Sequence, residues 1–217
     1  MLQSIILSLQ VASIATILVA IVGLAIAYFL TTKKFPGKEL VEVFFTLPLV
    51  LPPTVVGYYL IILFGRNGFL GKLIYNYTGW TIMFTWYAAI LASFVVSLPL
   101  MIKASQAAIE SVDKTMIDSS YMLGHSQFDT YLKVVFPLAK KGIIAGIVLS
   151  FARAIGEFGA TLMVAGNIPG RTDTMPLAIY GYTATGDWKS AHIMVIILTL
   201  ISGIFLYTAN RFSKRNF

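Results

Sequence analysis

Residues 4–30 read SIILSLQVASIATILVAIVGLAIAYFL and contain no charged side chain. A helix needs roughly 20 apolar residues to cross the hydrocarbon core of a bilayer, so this stretch is long enough to span a membrane. It is also too long for the apolar region of a signal peptide, and Met1-Leu2-Gln3-Ser4 offers no positively charged start. We therefore predict that residues 4–30 form a transmembrane helix.

The composition of the whole 217-residue chain indicates the same class. Hydrophobic residues make up 58% and charged residues 12%, and the mean hydropathy is +0.82, which exceeds what a soluble domain could cover with polar surface. Four further segments are long and apolar enough to span: residues 40–64, 81–102, 142–165 and 192–207. The sequence predicts an all-α integral membrane protein with about five transmembrane helices, in a single domain of residues 1–217.

The chain has a net charge of +7, and its basic residues are unevenly distributed between the two sides of the predicted membrane. Lysine and arginine are enriched in cytoplasmic loops, so we predict an external N-terminus and a cytoplasmic C-terminus. In that orientation Arg153 lies within a span. Eleven basic residues are then cytoplasmic (Lys33, Lys34, Lys38, Lys103, Lys114, Lys133, Lys140, Lys141, Arg211, Lys214 and Arg215), and four are external (Arg66, Lys72, Arg171 and Lys189). A lipid bilayer, and not a nucleic acid, is the expected environment.

Residues 103–141 form the longest polar interval between the apolar segments. Residues 104–111 are predicted to extend the third span, and residues 114–123 to form a short amphipathic helix. Gly124 can adopt the left-handed conformation that ends a helix, so a second helix, residues 127–135, is predicted before Pro137 starts the next span. The pattern alone is also consistent with a solvated connector.

Arg153 and Glu157 are ionisable residues within the predicted fourth span, where charges are costly and are usually paired or face water. Their i, i+4 spacing permits an ion pair on one helix face. Three interpretations stay open: a structural pair, an Arg153 that lines an anion path, or a contact between subunits.

Pro48, Pro52 and Pro53 interrupt the predicted second span. Proline removes a helix hydrogen bond, and the freed backbone groups must find other partners inside a membrane. We predict a kink here. It is either a packing bend or a half-helix end that attracts an anion.

The interval 103–141 resembles the cytoplasmic loop of the inner-membrane permeases of ABC importers. That loop reads Glu-Ala-Ala, three residues, Gly, nine residues, Ile-x-Leu-Pro, and this chain keeps every spacing. Asp-Ser-Ser replaces Glu-Ala-Ala, which preserves a slim helix face, and Phe136 replaces leucine. The resemblance implies that this loop couples the chain to an ATPase through Asp118, Ser119, Ser120, Gly124, Val134, Phe136 and Pro137.

Other segments narrow the resemblance, which runs from about residue 8 to about residue 201. Residues 35–38 (FPGK), 47–53 (LPLVLPP), 55–58 (VVGY), 151–153 (FAR), 156–161 (GEFGAT) and 167–170 (NIPG) look like those of molybdate permeases. The nearest relatives of that family carry sulfate, thiosulfate or tungstate, and these substrates remain alternatives.

The resemblance implies a type I ABC importer permease fold with cytoplasmic coupling helices, in the cell membrane. It also implies that the chain imports its oxyanion by alternating access. The implied partners are a second copy of this chain, two ATP-binding subunits that bind ATP and Mg, and an external oxyanion-binding protein.

The sequence predicts no catalytic residue, metal ligand or cofactor in this chain. Residues 65–72 superficially resemble a phosphate-binding loop, but Arg66 replaces its first glycine and Leu73 follows the lysine. Cysteine is absent, and His125 and His192 lack companions at metal-ligand spacing. An ion-coupled secondary anion transporter would need several acidic residues in its spans, where we place only Glu157, and a membrane enzyme would need a catalytic cluster.

Overall fold

The computed structural model describes the backbone of residues 1–214 and the side chains of residues 1–208. Within that part the chain is helical, with no strand. One π-helical turn, Tyr131–Val135, joins α7 to α8. In chain order the helices are α1 (Leu2–Thr32), α2 (Lys38–Val50), α3 (Pro53–Phe64), α4 (Gly71–Thr78), α5 (Trp86–Glu110), α6 (Lys114–Met122), α7 (Gln127–Thr130), α8 (Phe136–Ile155), α9 (Gly159–Ala165), α10 (Met175–Ala184) and α11 (Trp188–Lys214).

Four helical rods in the described part are long and apolar enough to cross a membrane: α1, α5, the continuous rod Gln127–Ile155, and Trp188–Thr208 of α11. The number becomes five if the bent pair α2 and α3 counts as one span. The prediction of an all-α protein with about five spans is therefore confirmed. The basic tail predicted to be cytoplasmic, which includes Arg211, Lys214 and Arg215, lies outside the residues whose side chains are described.

The predicted second span, residues 40–64, is not one kinked helix. It consists of α2 and α3, whose axes differ by 119°. Pro48 is accommodated inside α2, and the break falls at Leu51 and Pro52, which are both extended, with ψ of 140° and 137°. The residue before a proline avoids the helical conformation, so Leu51 leaves the helix. Pro53, at the first position of α3, suits a helix start.

The predicted fourth span, residues 142–165, also differs from the structure. The rod starts earlier, at Gln127, and ends at Ile155, and α9 begins only at Gly159. Phe158, with φ −127° and ψ −59°, interrupts the helix. The third span likewise starts at Trp86 instead of residue 81, although its extension to Glu110 agrees with the prediction.

Helix α5 lies at the centre of the bundle and packs against α1, α8 and α9. Its buried face carries small residues, among them Ala88, Ala89, Ala92 and Ser93. Small side chains let helix backbones approach closely in a membrane. The three alanines belong to the hydrophobic core of the half of the bundle that contains the start of α5.

The two helices that follow the chain breaks, α3 and α9, pack against each other through glycines. A Cβ at Gly57 would lie 2.7 Å from Cβ of Met163, and a Cβ at Gly159 would lie 3.0 Å from Cβ of Pro53. Neither position has room for a larger side chain. The break at Pro52 and the break at Gly156 therefore meet in one region of the structure.

Candidate transport and coupling sites

The α6–α7 segment, residues 113–130, is a helix, a turn and a short helix. Asp113 caps α6 by accepting the Thr115 N–H at 2.9 Å, and this bonding holds the pKa of Asp113 below its ordinary value. Gly124 has a φ of +83°, and its N–H donates to the Tyr121 carbonyl at 2.9 Å. The left-handed glycine ends α6 and turns the chain into α7.

Ser120 links α6 to α7 through hydrogen bonds of its hydroxyl group. Its hydroxyl lies 2.9 Å from Oγ1 of Thr130 and 3.3 Å from Nδ1 of His125. Ser120 and Thr130 are both buried. The two serines that were interpreted as preserving one slim helix face differ in the structure, because Ser120 is buried whereas Ser119 is exposed and donates to the Thr115 carbonyl.

The α6–α7 segment exposes five apolar side chains, here called its apolar face, beside exposed polar ones such as Asp118 and Ser119. The side chains of this apolar face belong to no core cluster in the described part of the chain, and all of them except Phe128 lie outside the candidate spans. Exposed apolar side chains concentrated in one short segment of this kind indicate an interaction site. They are Met116, Tyr121, Met122, Leu123 and Phe128, whose exposed fractions are 55%, 44%, 90%, 78% and 60%.

The segment is attached to the bundle through the π-helical turn. The buried Tyr131 ring lies 4.2 Å from the Tyr28 ring of α1 and 6.3 Å from the Phe136 ring. Val134 is half-buried, whereas Pro137 is exposed. The second short helix, predicted as residues 127–135, is therefore no separate element but the start of the rod that ends at Ile155. Proline clashes with the carbonyl four residues earlier in an α-helix, and the π-helical turn directly before Pro137 accommodates it.

Arg153 and Glu157 form an ion pair, with Nη1 of Arg153 2.7 Å from Oε2 of Glu157. Glu157 is 3% exposed, and the Arg153 side chain is 30% exposed. The other carboxylate oxygen, Oε1, accepts the Ala160 N–H in the first turn of α9 at 2.8 Å. One buried carboxylate therefore holds Arg153 and caps α9. The pair lies at the break after α8, close to the contact between α9 and Pro53.

A family model described as "Binding-protein-dependent transport system inner membrane component" matches residues 20–217. The chain belongs to this family of membrane permeases. It is thus a multi-pass membrane protein and a transport permease, not an enzyme.

Several relatives whose names state a substrate align with most of the permease. The "Molybdenum transport system permease protein ModB" of Escherichia coli K12 is 42% identical over 91% of this chain and 87% of the relative. The "Putative molybdenum transport system permease protein YvgM" of Bacillus subtilis is 41% identical over 94% and 89%. The "Sulfate transport system permease protein CysT" of Salmonella typhimurium is 31% identical over 96% and 75%.

Solved structures share the fold of the permease. The inward-facing MetNI methionine ABC transporter matches with a TM-score of 0.78 and 15% identity, over 98% of this chain and 94% of that chain. A bacterial alginate ABC transporter in complex with an alginate-bound periplasmic protein matches with a TM-score of 0.77 and 15% identity, over 99% and 78%. The predicted type I ABC importer permease fold is confirmed.

Sequence reasoning missed one polar cluster of the permease. Oε1 of Glu42 lies 2.9 Å from Nζ of Lys103 and 2.9 Å from Nε2 of the buried Gln106. This cluster ties α2 to α5. Glu42 lies inside the predicted segment 40–64, so placing only Glu157 within a span was wrong. The position of this acidic residue among apolar residues in the sequence could have indicated the cluster.

Proposed function

We propose that this permease imports molybdate across the cytoplasmic membrane by alternating access, with energy from ATP. The observation that carries the substrate is the similarity over nearly the full chain to permeases named for molybdenum, at 42% and 41% identity. The permease named for sulfate is 31% identical. Sulfate, thiosulfate and tungstate are the substrates against which molybdate has to be tested.

The proposed motor is a pair of separate ATP-binding subunits that bind ATP and Mg. The apolar face of the α6–α7 segment supports this assignment, because it is solvent-exposed and suited to a groove on a partner. Ser120, Thr130 and Tyr131 attach the segment firmly to the bundle. A displacement of the apolar face would therefore also displace α1 and α8. Rigid-body movement of this kind switches transporters between inward and outward states.

A second copy of this chain completes the proposed pore. Helix α2 supports this proposal because it buries no side chain within one chain, although Glu42 fixes it to α5. Leu40, Phe44 and Val50 are 75%, 68% and 84% exposed. The second copy would cover part of this surface, and lipid the remainder.

The proposed orientation has the N-terminus outside and the α6–α7 segment in the cytoplasm. Its support is the distribution of lysine and arginine and the need for cytoplasmic ATP at the apolar face. An oxyanion-binding protein would then deliver molybdate to the opposite end, where the loop of residues 166–174 lies.

The substrate is tested by competition in bacteria that lack their own molybdate uptake. The permease is expressed with the ATPase and binding protein of its own system, and uptake of radioactive molybdate is measured. We expect tungstate, which matches molybdate in size as well as in shape and charge, to compete strongly. A large excess of sulfate, which has the same shape and charge but is smaller, should compete weakly. Sulfate competing as strongly as unlabelled molybdate would make this a sulfate permease.

A further inference from the structure

A cavity of about 610 Å³ opens between the start of α1, the start of α5 and the loop that follows α9. Its volume falls within the roughly 300–1,000 Å³ of small-molecule sites. Gln3, Ile6, Leu7 and Gln10 form its α1 wall, at the i, i+3, i+4, i+7 spacing of one helix face. The cavity therefore runs about 10 Å along α1, given the rise of 1.5 Å per residue.

Hydrogen-bond donors without protein partners face this cavity. The Arg171 guanidinium and the Gln10 carboxamide bond to no other side chain or backbone group in the described part of the chain. The Gln3 amide donates to the Gly170 carbonyl at 2.8 Å. No acidic side chain is among the described residues that line the cavity. Its polar chemistry thus favours an anion.

The remaining wall of the cavity is aromatic. The Tyr87 ring lies 5.7 Å from the Trp80 ring and 4.5 Å from the Trp86 ring. Tryptophan and tyrosine concentrate where lipid head groups meet the hydrocarbon core. The cavity therefore lies at head-group level, and Gln10 reaches below that level into the span, where an unpaired amide is costly.

We propose that this cavity holds the head group of an anionic phospholipid. The phosphate lies at Arg171, Gln10 donates to the ester oxygens, and one acyl chain follows Ile6 and Leu7. A free oxyanion could make the same polar contacts as the phosphate, but it would gain nothing from the apolar side chains of Ile6 and Leu7 on the α1 wall. The site requires only that this end of the bundle lies at a membrane boundary, and is independent of which ion is transported.

Tryptophan fluorescence tests the proposal in the purified permease complex. The chain has three tryptophans, so the Trp188→Phe variant emits, within this subunit, only from Trp80 and Trp86. A complex whose partner subunits contain no tryptophan is placed in phosphatidylcholine nanodiscs. Phosphatidylglycerol or phosphatidylcholine with brominated acyl chains is then added at equal mole fraction.

We expect brominated phosphatidylglycerol to quench the tryptophan fluorescence with an apparent affinity about fivefold higher than that of brominated phosphatidylcholine. This factor is the one expected when a single basic residue lies beside an anionic lipid. Arg171→Gln should remove the difference. Lys189→Gln, the same loss of charge at an exposed position outside the cavity, should retain it. Equal quenching by both lipids, or a preference that survives Arg171→Gln, overturns the proposal. Displacement by soluble phosphate or molybdate at constant ionic strength also overturns it and assigns the cavity to a free anion.

Discussion

A Gly124→Val variant is expected to keep hydrolysing ATP while transporting little. Gly124 has a φ of +83°, and a Cβ there would meet no atom within 4 Å. The substitution therefore introduces no clash, only the cost of a left-handed backbone, about 1–2 kcal/mol for an ordinary residue and more for a β-branched one. Relieving that strain turns α6, which carries Met116 and Met122, relative to α7. If a strain of about 1.4 kcal/mol destabilises the coupled arrangement of the segment, transport per ATP hydrolysed should fall roughly tenfold.

Gly186→Val is the matched control for this coupling prediction. Gly186 has a φ of +77° and equally open surroundings, but it lies between α10 and α11, away from the α6–α7 segment. It should lower the amount of folded protein as Gly124→Val does, without changing the transport obtained per ATP. An unchanged ratio in Gly124→Val would remove the turn from the coupling mechanism.

Glu157→Ala should prevent stable folding of the permease. It removes the partner of Arg153 and the acceptor of the Ala160 N–H together. Breaking a buried ion pair by removing one member costs about 3–5 kcal/mol, a large part of the stability of a typical domain. Thermal unfolding in detergent should show the loss. An alanine variant as stable as the parent would contradict the structural role.

A double variant separates the structural role of the pair from a role in the anion path. Arg153→Met combined with Glu157→Gln removes both charges and keeps an oxygen for the Ala160 N–H, so most of the stability should return. If this variant folds and transports molybdate, the pair is structural. If it folds and hydrolyses ATP but transports none, Arg153 contributes to the anion path. A simple exchange of the two charges cannot decide this, because an arginine at 157 accepts no hydrogen bond.

The features that were predictable from sequence are those set by local pattern. Residues 4–30 contain no charged side chain and are mostly apolar, so α1 follows from length and composition alone. The bounds of α6 follow from Asp113, which caps its start, and Gly124, which ends it. Its last residue is Met122, one residue short of the predicted end, as expected for helix ends.

The features that were missed depend on contacts between distant residues. Three prolines predicted a kink in residues 40–64, but whether a helix bends or breaks there depends on the α9 surface against which α3 packs. The gap between α8 and α9 depends on where the Glu157 carboxylate finds its partners. The inward position of Ser120 depends on Thr130, ten residues later. None of these contacts is visible in a hydrophobic pattern.

The most direct test of the account is molybdate uptake into proteoliposomes that contain the permease with the ATPase and binding protein of its own system. We predict uptake that requires ATP on the ATPase side, requires the loaded binding protein on the other side, and strongly prefers molybdate to sulfate. Uptake that proceeds without ATP in response to a proton or sodium gradient would contradict the account, as would equal transport of sulfate.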